Sequence, residues 1–405
     1  MLRLREFFDS HRRLLGITAI ISIHVTAMML MRQLVPLYLE SLGASSGTVG
    51  IVTALFSFLP LLLALPGGMA TDSLGYRLIM VVGGVCLGIA NLVLATSPGL
   101  VLTTATQLLA GFGHILVLVS CQAYVASMST DEDRARNLAI FFTGPPVGFL
   151  LGPPLGGMLK DIWGFPMAFA VGAVLAGVVS VSSIGVRELK KPESGLRGLA
   201  GILKNRLPGT LRQSVRLLRN PIFQVSILVS MSVLLVLTLR TSFLPIHLEG
   251  LGHSAFEAGI IIATISAVSL VLRPFMGTIL AKVGEKLLLS TAFLVGAVGL
   301  VLMSSVEGFW ISILAAALFG VTPAFVMPVS MSLMSRNAPE GSQGMVMGLR
   351  QTGNPLGLIT GPLLFGAISG YWNTAASVLV AGAFFAVVAV LLILRRPLTS
   401  NDAAE

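Results

Sequence analysis

Adding 209 to the number of a marked residue in the first half of this chain lands on the same residue type in the second. Pro36 maps onto Pro245, Glu40 onto Glu249, Gly43 onto Gly252, Gly50 onto Gly259, Gly68 onto Gly277 and Gly75 onto Gly284. Gly111 and Gly320, Gly148 and Gly357, Gly152 and Gly361, Pro153 and Pro362, and Trp163 and Trp372 continue the series without a gap. One module of roughly 200 residues is therefore written twice, and both copies must build the same unit.

Composition says what kind of unit. Hydrophobic residues make up 55% of the chain and charged residues 11%, where a soluble domain carries about 25% charged. Mean hydropathy is +0.92. Runs long enough to cross a bilayer as helices, about 20 residues, fall near 14–39, 47–69, 78–96, 101–126, 138–159 and 165–186. The second half supplies 221–247, 255–280, 287–306, 309–334, 343–366 and 373–394. Six and six fit the duplication. The expected fold class is an all-α membrane protein of twelve transmembrane helices in two six-helix bundles with pseudo-twofold symmetry. The expected division is an N-terminal bundle over 1–187, a basic linker over 188–220, a C-terminal bundle over 221–396 and a tail over 397–405.

Basic residues orient the chain. Arg3, Arg5, Arg12 and Arg13 precede the first run, and Arg77, Arg134, Arg136, Lys282, Lys286 and Arg336 fall in loops on the same side. The linker is rich in Lys and Arg, whereas the opposite loops hold Lys160. Basic loops stay in the cytoplasm, so both termini and the linker are expected there, in a multi-pass protein of the cell (inner or plasma) membrane. Within the linker, Leu211–Arg219 alternates Leu and Val with Arg at helical spacing, which suits a helix on the anionic lipid bilayer surface. The pI near 10.1 follows from this asymmetry. It does not point to nucleic acid, since no basic patch is interleaved with aromatics.

Cys86 and Cys121 lie in expected spans without metal or redox spacing and read as small core residues. The first run is too long for a cleaved leader and reads as a retained span. No nucleotide-binding loop, zinc cluster or hydrolase elbow is present. No enzymatic activity, cofactor or metal is expected, and the chain is expected to act as a monomer on a small-molecule substrate.

Between the second and third runs the sequence reads Gly67-Gly68-Met-Ala-Thr-Asp72-Ser73-Leu74-Gly75-Tyr76-Arg77. Here the chain resembles the major facilitator superfamily, whose loop signature is G-x-x-x-D-R-x-G-R-K/R. Gly68, Asp72, Gly75 and Arg77 match, while Ser73 and Tyr76 replace two usual basic residues. The second copy, with Arg273, Gly277 and Gly284, keeps the glycines and loses the acid. Glycines permit a tight turn and close helix approach, and the acid suits a helix N-terminus. The resemblance implies a gating loop. The fifth run, Gly144-Pro145-Pro146-Val-Gly148-Phe-Leu-Leu-Gly152-Pro153-Pro154-Leu-Gly156-Gly157, is similar to the family's antiporter signature G-x-x-x-G-P-x-x-G-G. Gly148, Gly152, Pro153, Gly156 and Gly157 match it. Close packing alone would also explain such spacing. The resemblance implies export of the drug–proton antiporter type, with alternating access and a proton as the coupling ion. In the fourth run, Gln107 stands where family antiporters usually carry an Arg, so the usual proton relay is not reproduced.

Ionisable residues inside spans are costly unless they face a cavity or partner. His24, Met28 and Arg32 recur on one helix face, as do Gln107, Gly111 and His114, and Arg350 with Asn354. Arg240 is the repeat mate of Arg32, displaced by one position. The resemblance implies that spans one, four, seven and ten line a central cavity where Arg32, Arg240, Gln107 and His114 meet. Against this, the arginines can bond carbonyls or Glu40 and Glu249 near the surface. Arg273 can snorkel, Arg350 can serve as a gate residue, and the histidines can be packing groups. Met28, Met29 and Met31 read as core or as an adaptable cavity wall. With Arg32, Arg240 and Arg350 inside spans and no carboxylate near a midplane, the expected substrate is anionic, zwitterionic or amphipathic with an acidic group. Rival expectations are a nutrient or organic-anion uptake permease, a lipid flippase, or a non-transporting sensor.

Overall fold

A computed structural model describes residues 2–130, 133–189, 221–336 and 343–394. Among them all regular structure is helical, as a bilayer requires of segments that must satisfy every backbone polar group internally. Two compact units form, one from Met1–Leu34 with Leu55–Pro208 and one from Val35–Ala54 with Gly209–Glu405. The second unit thus takes in residues 35–54, which the sequence reading gave to the first bundle. Within that unit Gly50 lies against the backbone of Pro362 and Gly366.

The first unit is built on α1 (Leu2–Ser41) up to Leu34, α2 (Ser46–Leu74) from Leu55 on, α3 (Tyr76–Ala95), α4 (Leu100–Met128), α5 (Arg134–Phe141) and α6 (Gly144–Ile184). α6 is 41 residues long but leaves helical geometry at Gly164, where φ is +80°. Glycine reaches this conformation at no steric cost, and the chain divides there between the fifth and sixth expected spans. Ile21, Leu30, Tyr124, Phe141 and Phe169 are sealed in the core. Leu15, Val101, Val174 and Val181 point outward, which suits a hydrocarbon solvent.

In the second unit the seventh expected span is interrupted, as α7 (Pro221–Leu237), α8 (Leu239–Ser242) and α9 (Leu244–Gly250). Pro245 sits in the first turn of α9, where its missing N–H costs nothing. α10 (Ala255–Leu272) opens on a capping box of Ser254 and Glu257. Next come a 3-10 turn (Arg273–Phe275), α11 (Met276–Ser305), α12 (Phe309–Arg336), α13 (Gln343–Tyr371) and α14 (Thr374–Leu394). α11 kinks at Gly284, where φ is +73°. Phe293 and Phe385 meet edge to face, 5.0 Å between centroids, within a core shared with Phe319. Nine apolar helical stretches among the described residues have crossing length, and two of them, Arg136–Ile184 and Ala255–Ser305, contain the kinks at Gly164 and Gly284.

The duplication is legible in three dimensions. Gly43 and Gly252 both have positive φ, as do Gly75 and Gly284. A Cβ on Gly111 would run into the carbonyl of Phe56, and one on Gly320 would stand 2.7 Å from that of Ile265, itself the mate of Phe56. A Cβ on Gly148 would lie 2.6 Å from Thr26 N, and one on Gly357 3.2 Å from Leu235 N, again repeat mates. At Gly277 the expected close packing is not found, since a Cβ there meets nothing within 4 Å.

Candidate functional site

The glycines of the fifth span form a seam along α1. A Cβ on Gly144 would stand 2.9 Å from Thr18 O, one on Gly152 2.8 Å from Thr26 O, and one on Gly156 3.2 Å from Leu30 O. Without side chains on α6, the two backbones close together along more than three turns. Pro153, Gly156 and Gly157 are buried as well. The seam occupies one side of α1 and so fixes what its other side presents.

That side carries His24, Met28 and Arg32. Arg32 Cζ lies 4.3 Å from the centroid of the Phe56 ring on α2, a cation–π contact. The Phe56 ring is tilted against His114 of α4, with centroids 5.8 Å apart. α2 and α4 meet closely because Gly111 admits the Phe56 carbonyl. His114 in turn approaches His24, with Nδ1 of His114 3.2 Å from Nε2 of His24. Arg32, Phe56, His114 and His24 therefore form one continuous cluster of a cation, an aromatic face and two imidazoles. His24 is fully buried and its Nδ1 has no hydrogen-bond partner, while His114 and Arg32 are half-buried. Gln107 is buried on α4 with Nε2 unpartnered.

Met28, Met29 and Met31 are all buried, in keeping with methionine as core filler.

In the second unit Arg240 Nη1 donates to Ser266 Oγ at 3.0 Å. Ser230 Oγ donates to Asn354 Oδ1 at 3.1 Å and lies 3.6 Å from Met327 Sδ. Arg273 is exposed at the 3-10 turn. At the loop of the first unit, Gly75 has φ of +93°. The Glu188 carboxylate closes the next helix: Tyr76 N donates to Oε2 at 3.1 Å and Arg77 N to Oε1 at 2.8 Å. Tyr76, in place of a usual basic residue, is buried; its hydroxyl bonds Ser127 Oγ at 2.8 Å and its ring meets Tyr124 edge to face. Ser73 is buried as well. The side chains of Asp72 and Arg350 lie outside the described residues, as do the linker from 190 to 220 and the tail from 395.

Phe56 and Glu188 were missed in the sequence. A Phe in an apolar run carries no signal, and Glu188 reads as the solvated edge of a basic linker.

Ionisable groups held inside apolar crossing helices mark a functional site of a membrane protein. The sequence model of the Major Facilitator Superfamily matches residues 17–285 and 227–404. The chain belongs to that family. It is 26% identical to a protein named multidrug resistance protein MdtG from Salmonella arizonae over 370 residues, 86% of this chain and 87% of that protein. A protein of the same name from Enterobacter lignolyticus is 26% identical over 87% of this chain and 85% of its own length. Among solved structures, the nucleoside transporter NupG superposes with a TM-score of 0.78 at 13% identity, covering 94% of this chain and 99% of that one. The human organic anion transporter MFSD10 gives 0.66 at 20% identity, covering 95% and 99%.

Proposed function

We propose that this chain exports amphipathic small organic molecules from the cytoplasm in exchange for protons, by alternating access, with both termini inside the cell. The cluster of Arg32, Phe56, His114 and His24 carries this reading. It offers an aromatic face, a fixed cation and titratable nitrogens within a few ångströms inside an apolar bundle. The glycine seam on α1 supports it, since it aligns with the antiporter signature. The multidrug-resistance names of the relatives support export. The gating role of Gly68, Asp72, Gly75, Arg77, Arg273, Gly277 and Gly284 belongs to the same proposal, as do cavity roles for Arg240, Arg350 and Asn354.

The test is Nile red retention in cells that express the chain. Energised cells should lose the dye faster than cells with an empty vector, and a protonophore should abolish the difference. Equal retention with and without the chain would contradict export.

A second reading is uptake of an organic anion together with a proton. Arg32 favours it, since a guanidinium suits a carboxylate. The two readings differ in the sign of the link between substrate and proton.

A further inference from the structure

Two imidazoles meet inside the first unit. His24 Nε2 and His114 Nδ1 are 3.2 Å apart, and the rings lie 4° from parallel with centroids 5.4 Å apart. One bond between two neutral imidazoles leaves two outer nitrogens, one with a hydrogen and one with a lone pair. At His24 the outer nitrogen, Nδ1, is buried without a partner. An unmet polar group in such a place costs about 1–3 kcal/mol, which an apolar residue of similar size would avoid. Packing alone therefore gives no reason for an imidazole at position 24.

We propose that His24 and His114 hold one proton between them and form the proton-binding site of the exchange cycle. The inference rests on the proton-exchange reading above and names its site. The proton is taken from water at half-buried His114 and adds to the free lone pair of the pair's outer nitrogens. The central bond survives this step, and the charge is shared across it. A second proton would place hydrogens on both central nitrogens, break the bond and set two like charges side by side. The pair therefore takes up one proton as a unit.

The surroundings contain no acid to compete for it among the described residues. On α1, Arg32 stands two turns from His24, while Arg12, Arg13 and Glu40 lie toward the ends of that helix. α2 presents Phe56, and α4 presents neutral Gln107. On α3, Cys86 sits against Gly113. α6 presents glycines to α1. Arg32, across the Phe56 ring, adds a positive charge that weakens the pair's hold on its one proton and opposes a second more strongly. The sign of coupling follows. A neutral aromatic molecule on Phe56 displaces water from His114, disfavours the charged pair and expels its proton, which is exchange. A carboxylate on Arg32 would instead hold the proton in place, which is cotransport.

The decisive measurement is NMR titration of isotope-labelled histidine rings in the purified full chain, which has five histidines. Two rings should change together in one step with uptake of one proton, and His24→Gln or His114→Gln should leave the remaining ring titrating alone. In weak buffer, binding of the neutral drug chloramphenicol should release close to one proton per chain from the wild type. Each variant should release clearly less than the wild type when saturated with the drug, whatever its affinity. Rings that stay neutral from about pH 5 to pH 8, the range over which a histidine switch operates, would overturn the assignment. So would undiminished proton release in both variants. If the wild type fails to exchange drug for protons, the exchange reading fails, while the ring titration decides the histidine pair independently.

Discussion

Gly152 faces Met29 so closely that a Cβ on the glycine would stand 2.6 Å from that of Met29. Its repeat mate Gly361 would run into Thr238, the mate of Met29. Gly152→Ala must therefore push α6 away from α1, at about 1–3 kcal/mol for overpacking. Because α1 carries His24 and Arg32, transport should fall as well. Gly177→Ala is the matched control, since nothing lies within 4 Å of a Cβ there. Thermal unfolding in detergent, read beside dye export, separates the two.

Glu188 accepts from the first two backbone N–H groups of α3. A carboxylate at a helix N-terminus contributes about 0.3–1 kcal/mol through the dipole. Glu188→Gln should speed hydrogen exchange in the first turn of α3 severalfold, with the interior of α3 unchanged. An unaltered first turn would show that the carboxylate does not hold it.

Phe56→Leu keeps apolar bulk and removes the π-face under Arg32. An aromatic pair between the ring and the drug contributes about 0.5–1.5 kcal/mol beyond its buried area, so chloramphenicol binding, measured by equilibrium dialysis, should weaken several-fold. Arg32→Gln should weaken the anionic probe carboxyfluorescein by on the order of 1–3 kcal/mol. If Arg32→Gln leaves carboxyfluorescein affinity untouched, the organic-anion reading loses its support.

How the sequence relates to the structure depends on what each signal measures. A glycine in a span has few reasons to exist besides close approach or a positive φ, so Gly111, Gly148 and Gly152 announced their contacts and the mates repeated them. Gly277 had the same spelling and packs against nothing, because spacing names a capacity and not a neighbour. Helical periodicity put His24, Met28 and Arg32 on one face but could not say that Met28 would be covered. His24 and His114 stood out as ionisable groups in apolar runs. Their meeting depends on an approach of α1 and α4 across 90 residues of sequence, which no local pattern encodes.

Affinity should depend on pH with opposite sign for the two substrate classes. A neutral ligand favours the proton-free pair, so chloramphenicol affinity should rise as pH rises through the titration of the pair. An anion favours the protonated pair, so carboxyfluorescein affinity should fall over the same range. By linkage, each dependence should vanish in His114→Gln. Parallel pH profiles for the two probes would contradict this coupling.

Proteoliposomes with an acid interior test proton exchange most directly. Outward proton flow should drive radiolabelled chloramphenicol into the lumen above its external concentration, whichever way the chain is inserted. Nigericin should abolish the accumulation. A lumen that only equilibrates with the medium, or is depleted of drug while the gradient lasts, would contradict proton-coupled export by this chain.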